Sequence, residues 1–189
     1  TLPEPYKGIR KKKFVTAVRL DPQKNLEMLI DAFSRFEKLY PDYTLEIYGE
    51  GSQRSYLENK CKEMNVENKV VLKGFSKNLH ENILDASAFI MSSNYEGMSN
   101  SLLEALALGV PVISTDHPIG GARMFIKNGN NGILTKVGDT DEMFNALLFA
   151  ANNPEKMQAM ADEAIRIRQQ ISVEKIVSQW MSYIEKVCG

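Results

Sequence analysis

"KFVTAVRLDPQKNLEMLIDAFSRFEKLYPDYTLEIYG", residues 13–49, decides the fold. Its two ends, KFVTAV (13–18) and YTLEIYG (43–49), are short apolar runs rich in β-branched and aromatic residues, the composition of buried strands. Between them Leu26, Leu29, Ile30, Phe33, Phe36 and Leu39 recur at the three-four spacing of one helix face. A strand, a helix and a second strand in that order make a right-handed crossover, and strands joined in this way lie parallel.

The same alternation continues outward from that unit. The runs KVVLKGF (69–75), AFIMSS (88–93), PVIST (111–115) and GILT (132–135) read as further strands. The segments SQRSYLENKCKEM, NLHENILDA, SLLEALAL and GARMFIKNG between them read as helices. The pattern therefore predicts an α/β fold: a Rossmann-like parallel six-stranded sheet with helices on both faces. From Asp139 onward the chain reads as a helical C-terminal extension, broken at Pro154 and near Ser172. In its last piece Ile176, Trp180, Tyr183, Ile184 and Val187 form one apolar face, suited to the domain's own sheet or to a partner.

Composition narrows the class. With 189 residues, 43% hydrophobic and 25% charged, the chain has the make-up of one globular domain. Lys and Arg number 23 against 24 Asp and Glu, so no overall field attracts nucleic acid, and any anion site must be local. Cys61 and Cys188 lack partners at metal-ligand spacing, which argues against zinc or a disulfide framework and fits a reducing cytoplasm. No apolar run approaches the roughly 18 residues of a membrane span. The opening TLPEPYKGIRKKK, with two prolines and a basic cluster, reads as an interdomain linker (1–12) ahead of the domain proper (13–171). The cluster is expected to be a solvated strand entry rather than a membrane-surface patch.

In open parallel sheets ligands bind beyond the carboxyl ends of the strands, where strand order reverses. The candidates are therefore Arg19, Gly49 to Gly51, Gly74 and Phe75, Ser93 to Ser101, and Asp116 to Gly121. The richest stretch is YEGMSNSLLEALALGVPVIST (95–115). A helix is expected from about Asn100 to Gly109, with Pro111 just beyond, so the turn before it aims free backbone N–H groups and a positive dipole end at the ligand side. Ser101 and Glu104 also have the spacing of a capping box, a purely structural use of that glutamate. Glu96 precedes the helix beside Gly97, where a backbone can approach a ligand, and a carboxylate there can accept two hydroxyl hydrogen bonds from a polyhydroxylated molecule. After the first strand, Arg19 and Lys24 supply two cations in a turn set by Pro22, able to clamp a diphosphate against the helix N-terminus or simply to be solvated.

Five ordered motifs, AVRLDPQKN, YGEGSQRSYLE, VVLKGF, YEGMSNSLLEALALGVPVIST and GARMFIKNGNNGIL, resemble the nucleotide-sugar half of retaining glycosyltransferases of family 4, the group 1 type. The resemblance implies one half of a GT-B fold, in which two Rossmann-like domains flank a cleft and the second binds the donor. It implies that Arg19 and Lys24 bind the donor's diphosphate, with Arg19 steadying charge on the leaving group, and that Glu96 contacts the transferred sugar. It implies that Glu104 holds the ribose hydroxyls, that backbone from Ser99 through Asn100 and Ser101 to Leu102 meets the phosphates, and that Phe75 and its neighbours flank the base, with Gly49, Gly51, Gly74, Gly97 and Met98 completing the nucleotide-binding set.

The implied activity is transfer of a hexose or N-acetylhexosamine from a nucleoside diphosphate sugar, UDP by preference, to a glycan or lipid-linked glycan. The implied setting is bacterial surface polysaccharide synthesis in the cytoplasm, at the inner face of the membrane by peripheral association, with no metal or other cofactor. The family's first domain, with its acceptor site and a histidine, has no counterpart in these 189 residues, and neither His80 nor His117 matches that histidine's context. Residues 172–189 are accordingly expected to pack on that domain, and the chain alone to bind nucleotide without transferring sugar.

The chain departs from the family pattern in two places. Val18 stands where a glycine precedes the arginine, and Met124, beside Arg123, stands where a glutamate follows the glycine pair. Asp139 to Asp141, DTD, matches the metal signature of the other main glycosyltransferase fold but opens a helix, where acidic residues act as caps. Two other functions remain open: a sugar-nucleotide epimerase of GT-B fold, which would share the phosphate clamp, and a non-catalytic nucleotide-binding module. A dinucleotide fingerprint is weak here, because Gly49 and Gly51 follow the second strand and Arg54 occupies the third glycine's place.

Overall fold

A computed structural model describes residues 2–118, 120–171 and 173–188. The helix break expected near Ser172, the Ile119 position within the stretch 116–121 and the Cys188 thiol lie outside the described residues. Six parallel strands form one sheet: β1 (Lys11–Ala17), β2 (Thr44–Tyr48), β3 (Val70–Gly74), β4 (Ala86–Met91), β5 (Val112–Thr115) and β6 (Ile133–Thr135), in the order β3-β2-β1-β4-β5-β6. The helices are α1 (Leu26–Glu37), α2 (Arg54–Glu63), α3 (Leu79–Ile83), α4 (Asn100–Leu108), α5 (Thr140–Asn152), α6 (Pro154–Ala164), α7 (Ile167–Gln170) and α8 (Val173–Cys188).

Successive strand residues point to opposite faces, so the core divides into two layers. Phe14, Leu45, Ile47, Ala88, Ile90 and Ile113 pack on one face with the apolar sides of α1 and α5. Val15, Tyr48, Phe89, Met91 and Val112 pack on the other with α4 and α7. Of the predicted α1 face, Leu26, Leu29, Ile30, Phe33 and Phe36 are buried, whereas Leu39 lies beyond the helix end and is exposed.

The strands β1 and β4 are neighbours although β2 and β3 separate them in sequence, so strand order reverses between them. That reversal opens a crevice at their carboxyl ends, between the turn after β1 and the turn after β4.

One expected helix needs correction, and one of two alternatives for α8 is excluded. GARMFIKNG is not a helix: turn bonds such as Met124 N–H to Gly120 O and Phe125 N–H to Ala122 O carry it, and Gly120 and Gly129 take positive φ of 77° and 78° at its ends. Met124 N–H to Gly120 O and Ile126 N–H to Ala122 O have helical spacing, but they do not run on into a continuous ladder. The apolar face of α8 does not pack on the domain's own sheet, since Ile176, Trp180, Tyr183, Ile184 and Val187 are all exposed. The segment before β1, read as an interdomain linker, is docked on the domain: Arg10 donates to Leu84 O, Ala86 O, Gly109 O and Gln158 Oε1, while Arg168 donates to Pro3 O. Burial pulls the Arg10 guanidinium down to about 10, against the raising effect of Asp162. The basic cluster is paired, Lys11 and Lys13 with Asp85 and Lys12 with Asp42. No helix among the described residues is long and apolar enough to cross a membrane.

Candidate functional site

The turn after β1 is a single 3-10 turn, Pro22–Lys24, closed by Asn25 in the left-handed conformation at φ 46°. Proline presets the first φ and asparagine tolerates the last, so the sequence DPQKN folds back on itself before α1 begins. Asn25 then caps α1, its side chain accepting from Met28 N–H. The reversal drives Lys24 inward, where it is buried.

The turn after β4 is fastened to this one. Asn94 N–H donates to Gln23 O at 2.8 Å, Gln23 Nε2 donates to Tyr95 O at 2.8 Å, and Asn25 Nδ2 donates to Asn94 Oδ1 at 2.9 Å. From below, Ser92 Oγ donates to Lys24 O and Thr115 Oγ1 to Ser93 O. These bonds bring Lys24 Nζ against Glu96 Oε2, with Ser93 Oγ at 3.5 Å from the same oxygen. The Lys24 and Glu96 side chains keep only 10% and 15% of their surface exposed, so this pair is largely withdrawn from water.

Beyond Glu96 the turn runs into α4. Ser99 is its N-cap but makes no side-chain cap bond, and the first backbone bond is Leu103 N–H to Ser99 O. The early amides of a nine-residue helix thus face the crevice, an arrangement that attracts anions. The helix closes where the sequence predicts, at Gly109 with φ 69°. Because Ser99 is the N-cap, Ser101 and Glu104 cannot form a capping box. Ser101 Oγ instead contacts Ser99 Oγ at 3.2 Å, and Glu104 Oε2 lies 3.0 Å from His80 Nε2. His80 is half-buried as that partner.

Arg19 stands apart. Its guanidinium is three-quarters exposed, 3.4 Å from Asp21, and does not reach the Glu96 turn. It lines the mouth of a cleft of about 390 Å³ with Val18, Gly49, Phe75, Ser76 and Leu79. Phe75 presents an exposed ring there, after β3, with Gly74 at φ 73° turning the chain. Gly49 and Gly51 serve the scaffold: a Cβ on Gly49 would lie 1.9 Å from Val18 O, and one on Gly51 2.5 Å from Leu20 O. Of these two, Gly49 also borders the cleft.

On the far side, the loop after β5 leans on the same turn. A Cβ on Gly121 would meet Gly97 O at 1.8 Å, whereas Gly97 itself faces open space. In this loop Arg123 grips Asp116, Nε to Oδ1 at 2.7 Å; that bond holds the Asp116 carboxyl below its usual range and raises Arg123. Met124 is exposed. Asp139 caps α5 through Glu142 N–H and Asp141 pairs with Arg35, so the DTD segment is a helix start. Cys61 is buried, which pushes its thiol up to about 11. Among the described residues no group of three His, Cys, Asp or Glu could hold a metal ion.

Sequence reasoning missed two features of the site: the Glu104–His80 contact and the close approach of Gly121 to Gly97. The exposed helix-like context of His80 gave no signal for the first, and the glycine pair at 120–121 was the available signal for the second.

Comparison with known proteins adds a family and neighbours. A family model described as "Glycosyl transferases group 1" matches residues 6–167. The N-acetylgalactosamine-N,N'-diacetylbacillosaminyl-diphospho-undecaprenol 4-alpha-N-acetylgalactosaminyltransferase of Campylobacter jejuni is 34% identical over 92% of this chain and 47% of its own length. The chain spans about half the length of several curated relatives, 47 to 52%. Among solved structures, a mutant of S. aureus TarM in complex with Fondaparinux, alpha-GlcNAc-glycerol and UDP is similar at a TM-score of 0.90 and 26% identity, over 96% of this chain and 37% of that one. The pneumococcal O-GlcNAc transferase GtfA in complex with UDP and GlcNAc is similar at 0.82 and 26%, over 100% and 38%.

Proposed function

The chain belongs to the group 1 glycosyl transferases, and from that premise we propose that it is the donor-binding half of a retaining enzyme. In this reading it holds a UDP-sugar, and a separate N-terminal domain, on which α8 packs, presents a glycan or lipid-linked glycan acceptor. The transferred sugar is a hexose or N-acetylhexosamine. The work belongs to bacterial surface polysaccharide synthesis on the cytoplasmic face of the membrane.

One observation carries the proposal: at the crevice where strand order reverses, Lys24 and Glu96 meet in front of the uncapped start of α4. The cleft beside Phe75 would take the base, Glu104 the ribose and the α4 amides the diphosphate. Glu96 would take hydroxyls of the sugar. The UDP in two similar structures supports the choice of nucleotide.

Departure of UDP builds negative charge on the diphosphate as the glycosidic bond loosens, and groups already aimed at that charge lower the barrier. Lys24 and the α4 amides are so placed, and Arg19, exposed at the cleft mouth beside Asp21, can swing over the bound phosphates. Together they supply the positive charge that a divalent metal provides in other transferases. Before donor binds, Glu96 occupies Lys24; a diphosphate then shares that ammonium and leaves Glu96 oxygens for the sugar.

Calorimetric titration of the chain with UDP, GDP and their sugars tests this. Glu104→Ala is expected to weaken UDP about tenfold, the loss of a hydrogen bond to a charged group, with the melting temperature unchanged because Glu104 caps nothing. A fall in melting temperature with affinity intact would refute the ribose role. Glu96→Ala should instead erode discrimination among UDP-sugars. For the full-length enzyme, nucleotide release that requires acceptor marks a transferase, and epimerised free donor marks an epimerase.

A further inference from the structure

We propose that His80 is a positioning residue that orders Glu104 for the ribose, so that preference for ribonucleotides over deoxyribonucleotides depends on an imidazole outside the phosphate-binding turn. This rests on the reading of Glu104 as the ribose contact.

His80 Nε2 lies 3.0 Å from Glu104 Oε2. An ionised carboxylate only accepts hydrogen bonds, so Nε2 carries the proton. Among the described residues no other side chain is bonded to Glu104, whose side chain is 41% exposed. A glutamate left to itself samples many rotamers in water and must be ordered by its ligand, at a cost in affinity. Held by His80 through one oxygen, it keeps the other oxygen and the spare lone pairs for a vicinal diol.

His80 can do this because its own short helix is anchored. Asn82 Nδ2 and Asn78 N–H both donate to Ser76 Oγ, at 2.8 and 3.2 Å. Lys13 Nζ donates to Asn82 O at 2.6 Å, and Ile83 is buried beneath. The neighbouring Leu79 lines the cleft that Phe75 borders. His80 itself lines an adjoining hollow with Pro3, Asn78 and Glu81, and Leu79 is common to that hollow and the cleft, so the helix that carries His80 links the two.

Titration of the wild type, His80→Ala and His80→Gln with UDP and 2′-deoxy-UDP tests the assignment. The wild type should prefer UDP about tenfold. His80→Ala should weaken UDP about fivefold while leaving 2′-deoxy-UDP unchanged, and His80→Gln, whose amide still donates, should restore most of the preference. Equal weakening of both nucleotides by His80→Ala, an intact preference, or a glutamine variant that behaves like alanine would overturn the positioning role. A wild type that binds the two nucleotides equally would overturn the reading of Glu104 itself.

Discussion

Lys24→Met is expected to abolish measurable UDP binding and to lower the stability of the chain by about 3 kcal/mol. The two effects have different origins. Stability falls because Glu96, its side chain only 15% exposed, loses its cation and is left as a charge largely removed from water. Affinity falls because the diphosphate loses the one cation that the folded turn delivers to the crevice, Arg19 being turned to solvent. Pairing Lys24→Met with Glu96→Gln separates them, since removal of both charges leaves nothing uncompensated. The double variant should regain most of the lost stability in urea denaturation yet still give no heat with UDP. Recovery of binding along with stability would mean that Lys24 serves the fold alone, and the diphosphate site would have to be sought elsewhere.

How far the sequence could be read follows from the range of the interactions concerned. Each strand was legible because short β-branched runs such as KFVTAV and PVIST stand between segments of helical period, and both signals are local. The end of α4 was legible for the same reason: Gly109 adopts the left-handed conformation that ends helices. GARMFIKNG misled because its apolar spacing imitates a helix, whereas the chain forms only successive turns there. The site was legible as a set of turns on one sheet edge, but its pairings were not. Lys24 and Glu96 lie 72 residues apart, and Glu104 and His80 lie 24 apart. Only the sheet order, which seats β1 beside β4, joins the first pair, and only the packing of α3 near α4 joins the second. Arg10 teaches the same lesson, since nothing in KGIRKKK distinguishes the residue that binds three backbone carbonyls from the lysines beside it that pair with Asp42 and Asp85.

Gly121→Ala should be strongly damaging to the crevice, and Gly97→Ala, at the other side of the same contact, should be harmless to folding. A Cβ on Gly121 would sit 1.8 Å from Gly97 O and 2.8 Å from Gly97 C, with His117 Cε1 at 3.3 Å. The obstructing atoms are backbone, and that backbone is tied to the β1 turn through Asn94 and Tyr95. The methyl can therefore be housed only if the whole 94–97 turn moves, which carries Glu96 away from Lys24. Overpacking of this kind costs about 3 kcal/mol, and the displacement should reduce UDP affinity at least as much as loss of Glu104. Gly97→Ala meets nothing within 4 Å, so its denaturation midpoint should match the wild type. If a ligand does approach that backbone closely, the same alanine will weaken UDP or UDP-sugar binding without any change in stability. Measured side by side, the two alanines give opposite profiles: one unfolds the site, and the other obstructs it. Equal stability in both would show that the loop after β5 does not brace the Glu96 turn.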